Sequence, residues 1–181
     1  GTNSMLRSTT SGASWTDIHT GGAPNFTSPH VDHHGVDFDA SGRLLDGNDG
    51  GIYWLDTQTT PSWTDLNGNL QTIQFEGIGL HPTDPNKAIG GSQDNGTEIY
   101  TGSVIWKETD GGDGGWAKFS PTNGARVYHI APVASFGPTD FFRRSDDTGS
   151  TWTSKVSGLL NTSTFKFYSP FVVDPGNGDR L

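Results

Sequence analysis

Short apolar and aromatic runs alternate with turn-forming clusters along the whole chain, the pattern of strands joined by tight turns. No stretch carries a 3.6-residue period between capping signals, so helix is expected to be minimal. The first full set of strands is read at about 31–38, 43–47, 52–56 and 62–66. A second set falls at about 73–80, 87–92, 97–101 and 104–108, and a third at about 116–120, 126–131, 139–145 and 151–156. A further strand is expected at Phe165–Val173, and residues 1–18 read as the last hairpin of a preceding set.

The sets repeat. Trp15, Trp63, Trp106 and Trp152 stand 48, 43 and 46 residues apart, three of them in a Ser/Thr-Trp-Thr context. In a second phase, the turns Asp39–Arg43, His81–Lys87, Ser120–Arg126 and Asp174–Arg180 each end on a basic residue. A period near 45 residues with four short strands per unit is the pattern of β-propeller blades. The expected architecture is therefore all-β, a propeller segment of four-stranded antiparallel blades. It has three full blades at about 28–66, 72–108 and 115–156, with partial blades at 1–18 and 164–181. Such a segment is expected to draw its remaining blades from the rest of a longer native chain, or else from a second copy. The opening Gly-Thr-Asn-Ser-Met reads as the start of a processed or excised piece.

Composition narrows the class. Gly is 26 of 181 residues and aromatics are 11%, while charged residues are only 17%, which argues for a turn-rich ordered chain rather than disorder. Eleven basic against twenty acidic residues leave a net charge of −9, which disfavours nucleic acid and anionic membrane surfaces as partners. No apolar run approaches the ~18 residues of a membrane span. With no Cys, thiolate metal sites and a Cys nucleophile are excluded.

Ser145, Asp147, Gly149, Thr151 and Trp152 fit S-x-D-x-G-x-T-W at every fixed position. That octapeptide resembles the Asp-box, or BNR repeat, of sialidase-like propellers. Ser8, Gly12 and Trp15 keep part of the box with Thr10 in place of its Asp, and the stretch 56–63 keeps only the Trp. In longer order, His30–His34, Gly47–Tyr53, Gln74-Phe75, His81-Pro82 and Gly90–Thr97 resemble large bacterial secreted propellers of the sortilin/Vps10-like and glycosyl-hydrolase-like BNR group. The resemblance implies a secreted or extracytoplasmic protein. It also implies a ligand site on the face carrying the approaches to the first strands and the loops between second and third strands.

That face gathers the candidate chemistry. In an extended chain, His30, Asp32 and His34 would share one side with His33 opposite. Three readings stay open for this cluster: loop hydrogen bonding, ligand contact, or a two-His, one-carboxylate site suited to zinc. Asp49 and Gln93-Asp94-Asn95 fall in the second-to-third-strand loops, and Asp113 falls in the Gly-rich approach to the third blade. Asp-Gly and Asn-Gly pairs are hairpin signals in themselves. Converging carboxylates can also serve as acid and base on a glycosidic bond, or hold calcium. The candidate catalytic residues are Asp32 and Asp113. The candidate ligand-binding residues are His30, His33, His34, Asp49, Gln93, Asp94, Asn95 and Trp116, and no resident metal or cofactor is expected. All six Arg are assigned to hairpin or turn-face positions, so the three-Arg carboxylate clamp of a sialidase is not expected.

Two functions remain: a secreted, glycan-recognising or glycoside-hydrolase-like propeller with its ligand at the channel mouth, or a non-catalytic sortilin-like scaffold that binds peptide or protein.

Overall fold

A computed structural model of the chain describes residues 4–19, 28–56, 62–70, 72–159 and 166–181. The described residues are all-β apart from a single helical turn, α1 (Val133–Phe136). No helix among them is long and apolar enough to cross a membrane. The chain divides into two compact units, residues 1–72 and 73–181.

The first unit holds a two-stranded hairpin, β1 (Leu6–Arg7) with β2 (Thr16–Asp17). It also holds a four-stranded antiparallel sheet of β3 (His33–Phe38), β4 (Leu44–Asn48), β5 (Gly51–Asp56) and β6 (Ser62–Asp65), paired in chain order. Ile18, Leu44, Tyr53, Leu55 and Trp63 form its core, with Met5 packed against them. The hairpin is fastened by the Trp63 indole N–H, which donates to Ile18 O at 2.7 Å.

The second unit holds two such sheets. One is β7 (Phe75–Leu80), β8 (Ala88–Ser92), β9 (Gly96–Tyr100) and β10 (Lys107–Asp110). The other is β11 (Ala117–Phe119), β12 (Val127–Ile130), β13 (Phe142–Ser145) and β14 (Thr153–Ser154). They stack face to face through Ile89, Ile99, Ala117, Phe119 and Val127. Glycine permits the closest approach: a Cβ on Gly79 would stand 2.7 Å from Ala117 O and Lys118 Cα. Four strands meandering in order, with sheets stacked face on face, is the blade architecture of a β-propeller.

The predicted strands match these sheets in number and order, with ends shifted by one to three residues. One strand is absent. Residues 166–173 form none, and Phe165 lies outside the described residues, as do positions 57–61 of the weakest box-like stretch. Phe171 and Val173 instead pack against Tyr128, Ile130, Phe141 and Phe142. They cover a sheet face, where no strand edge offers ladder hydrogen bonds.

The four basic-ended turns share one construction. The N–H of Asp39, His81, Ser120 and Asp174 donates to the carbonyl of Arg43, Lys87, Arg126 and Arg180, at 3.0, 3.1, 2.9 and 2.9 Å. In each, the side chain of the first residue accepts from the turn backbone: Asp39 from Ser41, His81 from Asp84, Ser120 from Thr122, Asp174 from Gly176. Carboxylate, imidazole and hydroxyl serve alike because the turn needs only one acceptor there.

The complete box behaves as its residue types require. Ser145 Oγ accepts the N–H of Gly149 at 2.8 Å, and Asp147 Oδ1 accepts the N–H of Thr151 at 2.8 Å. Hydrogen bonds from the Ser145 and Thr151 hydroxyls and the Thr151 N–H hold the Asp147 carboxyl down at about 2. The partial box repeats the geometry with a neutral acceptor: Thr10 Oγ1 takes the Ser14 N–H at 2.8 Å, and Ser8 Oγ the Gly12 N–H at 2.8 Å. Ser11 and Gly12 have φ of +53° and +87°, matching +58° and +82° at Thr148 and Gly149.

Candidate functional site

In the first unit the candidates gather where β3 begins and β4 turns into β5. Asp32 and His34 both stand beside Asp49 while His33 turns the other way, but His30 is held on the carbonyl of Val31. Asp32 is left-handed, with φ of +62°, and a bulge interrupts the β3–β4 ladder between His33 and Gly35. Both depart from a regularly extended chain. His30 Nδ1 bonds the carbonyl of Val31 at 2.9 Å. His34 Nε2 bonds Asp49 Oδ1 at 2.5 Å in the open. Asp49 also brings a carboxylate oxygen to within 4.8 Å of one on Asp32. His33 turns inward instead: its Nδ1 bonds Asp46 Oδ2 at 2.8 Å and its Nε2 faces His19 Nδ1 at 2.9 Å. The two-His, one-carboxylate set is therefore not assembled.

In the second unit Gln93, Asp94 and Asn95 form the β8–β9 turn, with Asp94 left-handed at φ +64°. The Gly-rich connection from β10 to β11 docks on it. Gly114 N–H donates to Ser92 O at 2.8 Å, and Asp94 N–H donates to Asp113 Oδ1 at 3.1 Å. Asp113 thus neighbours Asp94 and spends one oxygen on the backbone of its turn. The Asn95 amide donates to the Gln93 carbonyl at 3.0 Å. The Tyr168 hydroxyl donates to Gln93 Oε1. Burial, then the carboxylates of Glu76, Asp113 and Asp94, push that hydroxyl up to about 12. Tyr168 is not among the residues the sequence singled out. Its partner stands 75 residues away, so local spacing could not reveal the contact.

Trp116 is parted from this acidic turn. It lies, half-buried, in a cleft of about 330 Å³ with Lys118, Phe119, Phe171, Val172 and Val173. The Lys118 ammonium sits 5.4 Å from the indole centroid and donates to Ile78 O at 2.9 Å.

Two buried polar clusters escaped sequence reasoning. In the first unit, His19 extends the His33–Asp46 pair from the end of β2. Asp46 has no exposure, and its Oδ2 takes a second bond from the Asn48 amide at 2.8 Å. In the second unit, His129 Nε2 donates to Asp110 Oδ2 at 2.9 Å, and His129 Nδ1 stands 3.3 Å from Thr97 Oγ1. Arg143 joins Asp110 at 2.6 Å and also Asp140. The assignment of Arg143 to a hairpin or turn-face position is corrected: it lies within β13, opposite His129. Burial pushes the His129 imidazole down against the pull of Asp110. Burial alone would raise Asp110, but His129 and Arg143 hold it below the usual carboxylate range. The order Thr97–His129–Asp110 is that of a nucleophile triad, yet Thr97 and His129 are sealed at 1% and 0% exposure. No substrate reaches them. Charged residues inside the short runs Val127–Ile130 and Phe142–Ser145 were the signal that could have marked this cluster.

No family model matches the chain, and no curated protein matches it. Among solved structures, it is similar to a GH74 xyloglucanase from Xanthomonas campestris at 16% identity and a TM-score of 0.43, over 97% of this chain and 31% of that one. It is similar to YCF48 from Cyanidioschyzon merolae at 16% identity and a TM-score of 0.33, over 80% of this chain and 50% of that one. It is similar to a GH74 enzyme from Niastella koreensis at 14% identity and a TM-score of 0.29, over 88% of this chain and 40% of that one. The chain thus spans between about a third and a half of the length of these proteins.

Proposed function

We propose that the chain is part of a secreted, Asp-box-type propeller that recognises glycans, with Gln93, Asp94, Asp113 and Tyr168 forming a contact surface. The observation that supports this most is the gathering of an amide, two carboxylates and a phenol around the β8–β9 turn. Sugar hydroxyls both donate and accept, so carboxylates, amides and phenols suit them. Anionic sugars fit poorly, because Arg126, Arg143 and Arg144 are already held by carboxylates. In the first unit, His34, Asp32 and Asp49 offer a similar surface at the equivalent sheet end, with His30 and His33 supporting it. Asp113 and Asp32 are the carboxylates proposed for acid–base work if the protein hydrolyses its ligand.

A neutral-glycan array with a reducing-sugar assay tests this. Binding to neutral polysaccharide that falls at least tenfold in Gln93→Ala and Asp113→Ala supports it. Silence across neutral and acidic glycans overturns it. The apolar cleft at Trp116 favours a second reading, a peptide scaffold of the sortilin kind, since Phe171, Val172 and Val173 suit an apolar side chain better than a sugar. Retained peptide binding, lost in Trp116→Ala, is the outcome that reading requires.

A further inference from the structure

We propose that the Asp46–His33–His19 chain is a proton-sensitive latch that holds the β1–β2 hairpin on its sheet at neutral pH and releases it in acid.

Asp46 Oδ2 is only an acceptor while the carboxylate is ionised, so His33 Nδ1, at 2.8 Å, carries a hydrogen. The other nitrogen, His33 Nε2, faces His19 Nδ1 at 2.9 Å, with the rings crossed at 78°. A hydrogen bond there needs one proton between the two nitrogens. With none it is lost, and with two it becomes a clash of donors. His33 and His19 are nearly buried, at 6% side-chain and 7% residue exposure, so water has little room to separate them. The docked pair can hold one imidazolium but not two.

Once the hairpin leaves, each ring takes its own proton. The released state therefore binds one proton more than the docked state in acid, and docking strengthens as pH rises. One proton of difference weakens docking about tenfold per pH unit on the acid side.

The surrounding charges do not replace the missing acceptor. On the hairpin, Asp17 Oδ1 is engaged by the backbone N–H of His19 at 2.9 Å. On β3, His34 is tied to Asp49. On β5 and β6, Tyr53 and Asp65 face Asp46, and burial, then the charges of Asp65 and Asp46, keep the Tyr53 phenol protonated. Arg7 lies on β1. The second oxygen of Asp46 is buried and accepts no hydrogen bond among the described residues, from His19 included.

The test is NMR on the full chain between pH 5 and 8, following the Trp63 indole N–H signal as the sign of docking. The expected result is a released population that grows toward acid by up to about tenfold per pH unit, and a flat profile in His19→Asn. An amide at that place can turn either its N–H or its oxygen toward His33. A His19→Asn profile that tracks the unaltered chain overturns the latch. If that variant does not fold, imidazole nitrogen shifts of the unaltered chain decide. His19 and His33 both doubly protonated with the hairpin still docked contradicts the proposal. A docked fraction that never exceeds one imidazolium supports it.

Discussion

Ile18 and Thr109 play the same part in the two units. Each carbonyl accepts the indole N–H of the tryptophan beside or within a last strand, from Trp63 at 2.7 Å and from Trp152 at 3.1 Å. The next residue, His19 or Asp110, then enters a buried polar cluster. On the facing sheet, Asp46 stands opposite Val36 and Tyr53, and His129 stands opposite Ala117 and Arg143, the same place in the repeat. Imidazole and carboxylate have changed sides. The position therefore demands a matched donor and acceptor rather than a particular residue. What differs is the third member. Arg143 is charged at every relevant pH and supplies donors that never leave, whereas His33 shares a proton with His19. The second cluster holds a permanent cation, and the first holds none.

The largest effect is expected from removing that fixed cation. Arg143→Ala leaves Asp110 and Asp140 without their guanidinium and should cost about 3–5 kcal/mol in a denaturant titration. If it costs under about 1 kcal/mol, Arg143 is not what fixes the second cluster. Next come the tryptophans. Trp63→Phe and Trp152→Phe each strand a carbonyl and should cost about 1–3 kcal/mol. The Trp63 change should be the costlier, because Trp63 is 4% exposed and Trp152 is half-buried.

The sheet β7–β10 sharpens the comparison, because Gly90 takes the cluster position and Glu98 lies opposite it. Burial, eased by the Ser92 hydroxyl and worsened by Glu108, pushes the Glu98 carboxyl up to about 7 from 4.5. A raised carboxyl favours the fold below its unfolded value. That share of stability is full below about 4.5 and gone as pH rises through about 7. Glu98→Gln should flatten this limb in thermal melts across pH 4–8, and an unchanged limb would place its origin elsewhere. Asp147 has the opposite sign: its share is full above the ordinary 3.8 and lost as pH falls through about 2. The smallest expected effect is at the neutral box. Thr10→Ala removes the acceptor for Ser14 N–H and should loosen the β1–β2 hairpin by about 1 kcal/mol, read from amide exchange.

The repeat made the sheets legible before any coordinates. Trp spacing and the four basic-ended turns locate every blade, because turns are local chemistry. The box was legible for the same reason, since the Ser145 and Asp147 side-chain bonds that close its turn span four residues or fewer. The candidate site was legible only by region. At 30–34 a left-handed Asp32 and a bulge after His33 depart from the extended chain, yet Asp32 and His34 still meet at Asp49 with His33 turned inward, and only His30 stands apart. Asp110, His129 and Arg143 are 19 and 33 residues from their partners, and a lone charge in a short strand reads like a solvated face until register is known.

The contrast between the clusters is tested most directly by indole hydrogen exchange at Trp63 and Trp152 in one sample, corrected for intrinsic rates, from pH 8 to pH 5. The two indoles report on equivalent bonds in one solution. Trp63 protection should fall about tenfold per pH unit in the acid half of that range, while Trp152 protection shows no such fall. Parallel loss at both indoles, or a flat profile at both, would contradict the assignment of a shared proton to the first cluster and a permanent cation to the second.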